Sequence, residues 1–153
     1  MAGRHRQLAV ALGLAAAMAG CAASATSSST SAAASSEASP AADSIPISVD
    51  RPAGPGPFPT IVILHDCSGL GPRSSGAPAR WSHELVSRGY VVVIPDSFST
   101  RGRPNGVCTD ASPGRADVSP LRRAGDAYVA LAHARSLPYV DGRRVGLMGG
   151  SHG

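Results

Sequence analysis

Lysine is absent from this sequence of 153 residues, and its 14 basic residues are all arginine. Arg4 and Arg6 lie in an N-terminal targeting segment described below, so the rest of the chain is close to charge balance with its 10 acidic residues. Aromatic residues make up only 4% of the chain, and no basic cluster alternates with them. Because nucleic-acid binding requires a concentrated basic surface, these shortages argue against a nucleic-acid partner despite the formal net charge of +4.

The sequence also lacks an apolar run long enough to span a bilayer as a helix. Its N-terminal apolar stretch, Leu8–Met18, follows the positively charged start Arg4-His5-Arg6. This layout is typical of an export signal. We therefore predict a signal peptide over residues 1–20 and an exported protein.

The signal ends in Met18-Ala19-Gly20-Cys21, which resembles the lipobox of bacterial lipoproteins. The resemblance implies that Cys21 is lipidated, becomes the first mature residue and anchors the protein to a membrane of the cell envelope. The alternative is ordinary cleavage near Ala23-Ser24-Ala25, which would leave a soluble secreted protein.

Bulky apolar side chains are missing from residues 21–44, which consist almost wholly of Ala, Ser and Thr. Such a segment cannot bury enough surface to offset its ordering entropy, so we predict a flexible tether. Residues 45–153 then remain for folding, which is short for a doubly wound α/β domain.

From Ile45 onward, runs of β-branched residues alternate with helical patterns. Strands are predicted at Ile45–Val49, Thr60–Leu64, Tyr90–Ile94 and Val145–Met148, and helices at Ala77–Arg88 and from Pro120 to about Ser136. Ser119 is the expected N-cap of the second helix. We expect Leu121, Tyr128, Leu131 and Ala132 of that helix to face inward. This order predicts an α/β fold with a mostly parallel sheet and flanking helices.

The last strand leads into Gly149-Gly150-Ser151-His152-Gly153, which fits the G-x-S-x-G pattern of a nucleophile elbow. The elbow is a tight turn that exposes a serine hydroxyl in a strained conformation. Side chains two residues away on either side would collide, so glycine is needed at Gly149 and Gly153. The alternative interpretation is a glycine-rich turn that merely ends a strand.

Residues 45–153 resemble the first half of a dienelactone hydrolase-like α/β-hydrolase. The matching pieces are His65-Asp66-Cys67-Ser68-Gly69-Leu70, Arg88-Gly89-Tyr90, Pro95-Asp96-Ser97-Phe98, Val140-Asp141, Arg144-Val145 and the elbow. The resemblance implies an α/β-hydrolase fold that this sequence follows only to the end of the nucleophile elbow.

The resemblance implies that Ser151 is the nucleophile and that the backbone N–H groups of Cys67 and His152 form the oxyanion hole. The namesake enzymes carry cysteine at the nucleophile position, so serine favours an esterase-like branch and puts dienelactone in doubt as the substrate. His65 and Asp66 are expected to shape the oxyanion loop. The alternative for this pair is a solvated turn.

In this fold the triad acid and base follow the serine in chain order, so we expect both beyond Gly153. We therefore assign no histidine as the base; His83 and His133 are expected to be surface residues on helices. We also expect residues 45–153 alone neither to fold stably nor to hydrolyse esters, because the strand before the elbow would be a bare apolar edge.

The chain contains three cysteines. If Cys21 is lipidated, Cys67 and Cys108 remain as a pair, and an even remainder in an oxidising compartment predicts a disulfide. The alternative is two unpaired thiols, since sequence gives no distance between them. Scattered histidines and two cysteines lack metal-ligand spacing, so no metal site is predicted.

Taken with the resemblance, the sequence predicts a hydrolase that cleaves a small-molecule ester or lactone through a Ser151 acyl-enzyme, with no cofactor. Three alternatives remain open: a prolyl-oligopeptidase-type peptidase, an acyltransferase, and a non-catalytic surface lipoprotein built on a hydrolase remnant. The oligomeric state is left open.

Overall fold

The computed structural model describes residues 44–153. The predicted signal peptide of residues 1–20, the lipidation site at Cys21 and the tether up to residue 43 lie outside the described residues. The described elements, in chain order, are β1 (Ile47–Asp50), β2 (Phe58–Leu64), α1 (Ala77–Ser87), β3 (Val91–Pro95), α2 (Pro120–Ser136) and β4 (Val140–Gly149). This is the predicted order of strands and helices.

The four strands form one sheet in the order β1-β3-β2-β4. β2 runs parallel to both β3 and β4, whereas β1 runs antiparallel to β3. In the parallel register, Val62 of β2 lies opposite Val93 on one side and Leu147 on the other. The carboxyl ends of β2, β3 and β4 therefore meet at one edge of the sheet, where ligands bind in open α/β sheets.

The two helices cover different faces of the sheet. Leu85 and Val86 of α1 pack against a core of Ile63, Val92 and Ile94. Ala130 and Ala134 of α2 pack against the alternating partners on the other face, Val62, Val91 and Val93. Neither helix within residues 44–153 is long and apolar enough to cross a membrane.

The prediction for the inward face of α2 was largely wrong. Leu131 packs against the core as expected, but Leu121 is 84% exposed, Tyr128 is 74% exposed and Ala132 is also exposed. The buried face consists instead of Arg123, Asp126, Ala127, Ala130 and Ala134. Alanines let the helix approach the sheet closely. Asp126 is buried with Arg101 of the segment after β3, and Arg123 with the carbonyl of His152 in the turn after β4.

The segment between β3 and α2, residues 96–119, has local structure of its own. It contains two 3-10 turns, Ser99–Arg101 and Pro113–Val118. Phe98, Val107 and Val118 form a small core of their own, against which Cys67 packs. The segment is thereby held against the loop that follows β2. Ser119 caps α2 through its hydroxyl, as predicted.

Candidate active site

The turn after β4 has the backbone geometry of a nucleophile elbow. Ser151 has φ of 57°, the only left-handed backbone angle of a non-glycine residue within residues 44–153. This conformation costs a residue with a β-carbon about 1–2 kcal/mol, so the surrounding structure must hold it in place. Ser151 is exposed at the carboxyl edge of the sheet.

Close backbone packing explains both glycines of the elbow. A β-carbon added to Gly149 would lie 2.5 Å from the carbonyl carbon of Gly153. A β-carbon added to Gly153 would overlap the carbonyl oxygen of Leu64, at the end of β2. Neither position therefore accepts a side chain unless the backbone shifts.

The loop after β2 is built around the carboxylate of Asp66. Oδ1 accepts hydrogen bonds from the backbone N–H of Ser68 at 2.8 Å and from its hydroxyl, and Oδ2 accepts one from the Ser75 hydroxyl at 2.6 Å. Burial raises the pKa of Asp66, but the hydrogen bonds from Ser68 and Ser75 outweigh it and hold that pKa below its usual value. The carboxylate is thus an anchor of the loop.

His65 is 1% exposed, and its partners fix its tautomer. The backbone N–H of Ser97 can only donate, so Nε2, 3.3 Å away, accepts. Nδ1 therefore carries the proton and donates to the Asp66 carbonyl at 2.9 Å. Burial lowers the pKa of His65, so the ring is neutral near pH 7. Both nitrogens are occupied, which fits a structural role.

Cys67 is joined to Cys108 by a disulfide, with 4.9 Å between the two Cα atoms. The Val107 N–H also donates to the Cys67 carbonyl at 2.7 Å. The loop after β2 and the segment after β3 are thus linked by a covalent bond and a backbone hydrogen bond at the same residue.

His152 follows the serine and is held at two atoms. Its Nε2 donates to the Val118 carbonyl at 2.8 Å, and its own carbonyl accepts from Nη1 of Arg123 at 2.6 Å. Among the described residues, the N–H groups of Cys67 and His152 donate to no other group. These are the two amides for which the family resemblance implies a role in an oxyanion hole.

The Phe98 ring lies between the two halves of the site. It is fully buried, with its centroid 4.5 Å from that of His65 and 5.9 Å from that of His152, both edge to face. The guanidinium carbon of Arg123 lies 5.2 Å from the same ring. In the sequence, Phe98 stands out only as part of a family pattern. Nothing in the sequence marks Arg123 as buried, because arginine is normally exposed.

A cavity of about 290 Å³ opens beside the elbow, between α1 and the ends of β2 and β4. Its lining is mainly apolar and includes Ile63, Trp81, Met148, Gly149 and Gly150. An apolar recess next to an exposed hydroxyl suits a small uncharged ligand.

The described residues contain no group of three side chains that could hold a metal ion. His83 is exposed and His133 is half-buried, both on helices. The structure brings together Ser151, His152 and the loop of Cys67, and within residues 44–153 it presents no histidine that we assign as a base.

Comparisons with known proteins point to one family. A family model described as dienelactone hydrolase matches residues 45–153. A structure described as a dienelactone hydrolase from Klebsiella pneumoniae has a TM-score of 0.52 and 20% identity, over 69% of this chain and 43% of its own. This similarity confirms the predicted α/β-hydrolase fold.

Dipeptidyl peptidase 4 from Porphyromonas gingivalis is also similar, with a TM-score of 0.49 and 26% identity over 71% of this chain and 15% of its own. No curated protein matches. The chain spans less than half the length of the Klebsiella protein.

Proposed function

Since the chain belongs to the dienelactone hydrolase family, we propose that the protein is a hydrolase that cleaves an ester or lactone through an acyl-enzyme on Ser151. The observation that carries this proposal is the left-handed backbone of Ser151 between two glycines that admit no side chain. Strained backbone conformations of this kind cluster at active sites, where the surrounding structure holds them in place.

In the proposed reaction, the Ser151 hydroxyl oxygen attacks the substrate carbonyl carbon and its proton passes to a general base. The fold places that base after the nucleophile in chain order. The carbonyl oxygen becomes an oxyanion that accepts hydrogen bonds from the N–H groups of Cys67 and His152. The C–O bond to the leaving alcohol breaks, the alcohol takes up the proton, and water then releases the acid from Ser151.

The substrate class follows from the cavity and the nucleophile. A mainly apolar recess of about 290 Å³ favours a small ester or lactone with an uncharged acyl group. Serine in place of the cysteine of the namesake enzymes favours an esterase. No step of this reaction requires a metal or an organic cofactor.

Location is part of the proposal. The positively charged start, the short apolar stretch and Cys21 support export with lipid anchoring, which would place the hydrolase at a membrane surface of the cell envelope. Residues 21–44 would then act as the tether between the anchor and the domain. Labelling of cells with radioactive palmitate tests this: a Cys21→Ser variant should incorporate none.

The test of function uses full-length protein and p-nitrophenyl acetate. Turnover should disappear in Ser151→Ala and persist in Ser87→Ala, which changes an exposed serine on α1. A fluorophosphonate should phosphonylate the Ser151 oxygen with loss of hydrogen fluoride, so the peptide that contains Ser151 should gain the mass of the reagent less that of HF. Hydrolysis that survives Ser151→Ala would refute the proposal, and turnover of a prolyl anilide in preference to the ester would favour the peptidase alternative.

A further inference from the structure

Arg123 is a buried cation whose guanidinium lacks a carboxylate as a hydrogen-bond partner among the described residues. Its side chain is on the first turn of α2, and the residue is 2% exposed. The nearest acid on the same helix, Asp126, is bound through both oxygens by Arg101, at 2.7 Å each. Nε and Nη2 of Arg123 have no hydrogen-bond partner among the described residues. Burying an arginine in this way costs desolvation free energy. Such a residue is therefore a candidate for a functional role.

The contacts of Arg123 converge on the proposed oxyanion site. Nη1 donates to the carbonyl of His152 at 2.6 Å. The N–H of His152 is one of the two proposed oxyanion amides. The His152 side chain is also held by the Val118 carbonyl. Both the side chain and the carbonyl of His152 therefore have partners, and its N–H is left to face a substrate.

Arg123 is also connected to the second proposed oxyanion amide, the Cys67 N–H, through the ring of Phe98. The guanidinium of Arg123 lies over the ring, whose edge-to-face neighbour is His65. His65 donates to the Asp66 carbonyl, and that carbonyl belongs to the same planar peptide as the Cys67 N–H. A trans peptide points its N–H opposite its C=O, so fixing the Asp66 carbonyl fixes the direction of the Cys67 amide.

We propose that Arg123 is a positioning residue that sets the distance and direction of the Cys67 and His152 amides through Phe98 and the His152 carbonyl. This inference rests on the proposed function of the same site. Arg123 does not touch the substrate; it acts on the two groups that do.

The test compares Arg123→Gln and Arg123→Lys with Arg122→Gln, which changes the exposed arginine next in the chain. In full-length protein, we expect kcat of Arg123→Gln to fall about 100-fold with KM within about twofold, because misplacement by about 1 Å has an effect of that size. Arg123→Lys should recover part of the loss. Arg122→Gln should match the wild type.

A second measurement separates positioning from general structural damage. A trifluoromethyl ketone forms a tetrahedral adduct with the serine and binds through the oxyanion, so its affinity should fall in Arg123→Gln by the same factor as kcat/KM. A non-hydrolysable ether analogue of the substrate should bind as before. If Arg123→Gln does not fold, the same two ligands are compared in Arg123→Lys, where unchanged kcat and adduct affinity would overturn the proposal.

The control for the proposed function is independent of these variants. If turnover survives Ser151→Ala, the function itself is wrong. If Ser151→Ala abolishes turnover while a folded Arg123→Gln keeps wild-type kcat, only the role of Arg123 is refuted.

Discussion

Gly149 and Gly153 pack backbone against backbone across the turn that holds Ser151, so closely that a β-carbon on Gly149 would lie 2.5 Å from the Gly153 carbonyl carbon. Real β-carbons do not approach other atoms at that distance. Because the obstacle is backbone, it cannot move aside as the end of a flexible side chain could. The shape of the elbow is therefore set by the absence of two side chains.

Gly149→Ala should lower the free energy of unfolding by about 1–3 kcal/mol and reduce kcat, because the turn must open to accept the methyl group. The matched control is Gly150→Ala, since a β-carbon at Gly150 meets nothing within 4 Å. It should change stability by less than about 0.5 kcal/mol. Urea unfolding of the two variants checks this, and equal effects would contradict the packing argument.

Ser151→Gly should stabilise the protein by about 0.5–1 kcal/mol while abolishing activity. Glycine relieves the strain of φ at 57° and so stabilises the folded protein. Part of this gain is offset because glycine loses more conformational entropy than alanine on folding. Ser151→Ala keeps a β-carbon and should leave stability close to that of the wild type. Thermal unfolding of all three proteins measures the difference, and a glycine variant less stable than the alanine variant would argue against strain.

Loss of the Cys67–Cys108 disulfide should lower the free energy of unfolding by about 4 kcal/mol in the chain-entropy model, given a separation of 41 residues. It should also reduce the proposed esterase turnover, because the bond holds Cys67, whose N–H is one of the two proposed oxyanion amides. Unfolding with and without dithiothreitol measures this. The double variant Cys67→Ala with Cys108→Ala should show no response to the reductant; a response would place the sensitive bond elsewhere.

Stability should fall as the pH drops below about 6.5, because burial lowers the pKa of His65 in the folded protein. The unfolded chain then takes up a proton that the folded protein does not, so the free energy of unfolding falls by up to about 1.4 kcal/mol per pH unit until the folded pKa is reached. Asp66 and Asp96, with lowered pKa values, lose their contributions only below about pH 4.

The comparison variant for this pH dependence is His65→Gln, which cannot titrate. Its unfolding free energy, measured by urea titration at intervals between about pH 7.5 and pH 5, should change less with pH than that of the wild type. Its absolute stability is not the readout. Equal slopes in the two proteins would show that His65 does not govern this range.

The order of the elements and the elbow could be predicted from sequence because both depend on local patterns. The β-branched run Thr60–Leu64 and the motif around Ser151 each carry their own signal. The strand order β1-β3-β2-β4 and the antiparallel direction of β1 depend on pairings between distant segments, which no local pattern encodes.

The inward face of α2 could not be predicted for a different reason. The apolar positions Leu121 and Tyr128 form a helical stripe, and apolar stripes normally face the core. Here the sheet instead receives small alanines together with Arg123 and Asp126. The burial of Arg123 depends on Phe98 and His152, which are distant in sequence. No local sequence pattern therefore predicts that Arg123 is buried.

The bond between Cys67 and Cys108 also affects how the protein matures after synthesis. In a newly made chain Cys67 and Cys108 are both thiols, and the loop after β2 reaches the geometry described above only after an oxidant has removed two electrons from this pair. The maturation of this loop is thus a chemical step as well as a folding step. Whether the loop after β2 is complete in a given molecule therefore depends on whether that molecule has met an oxidant.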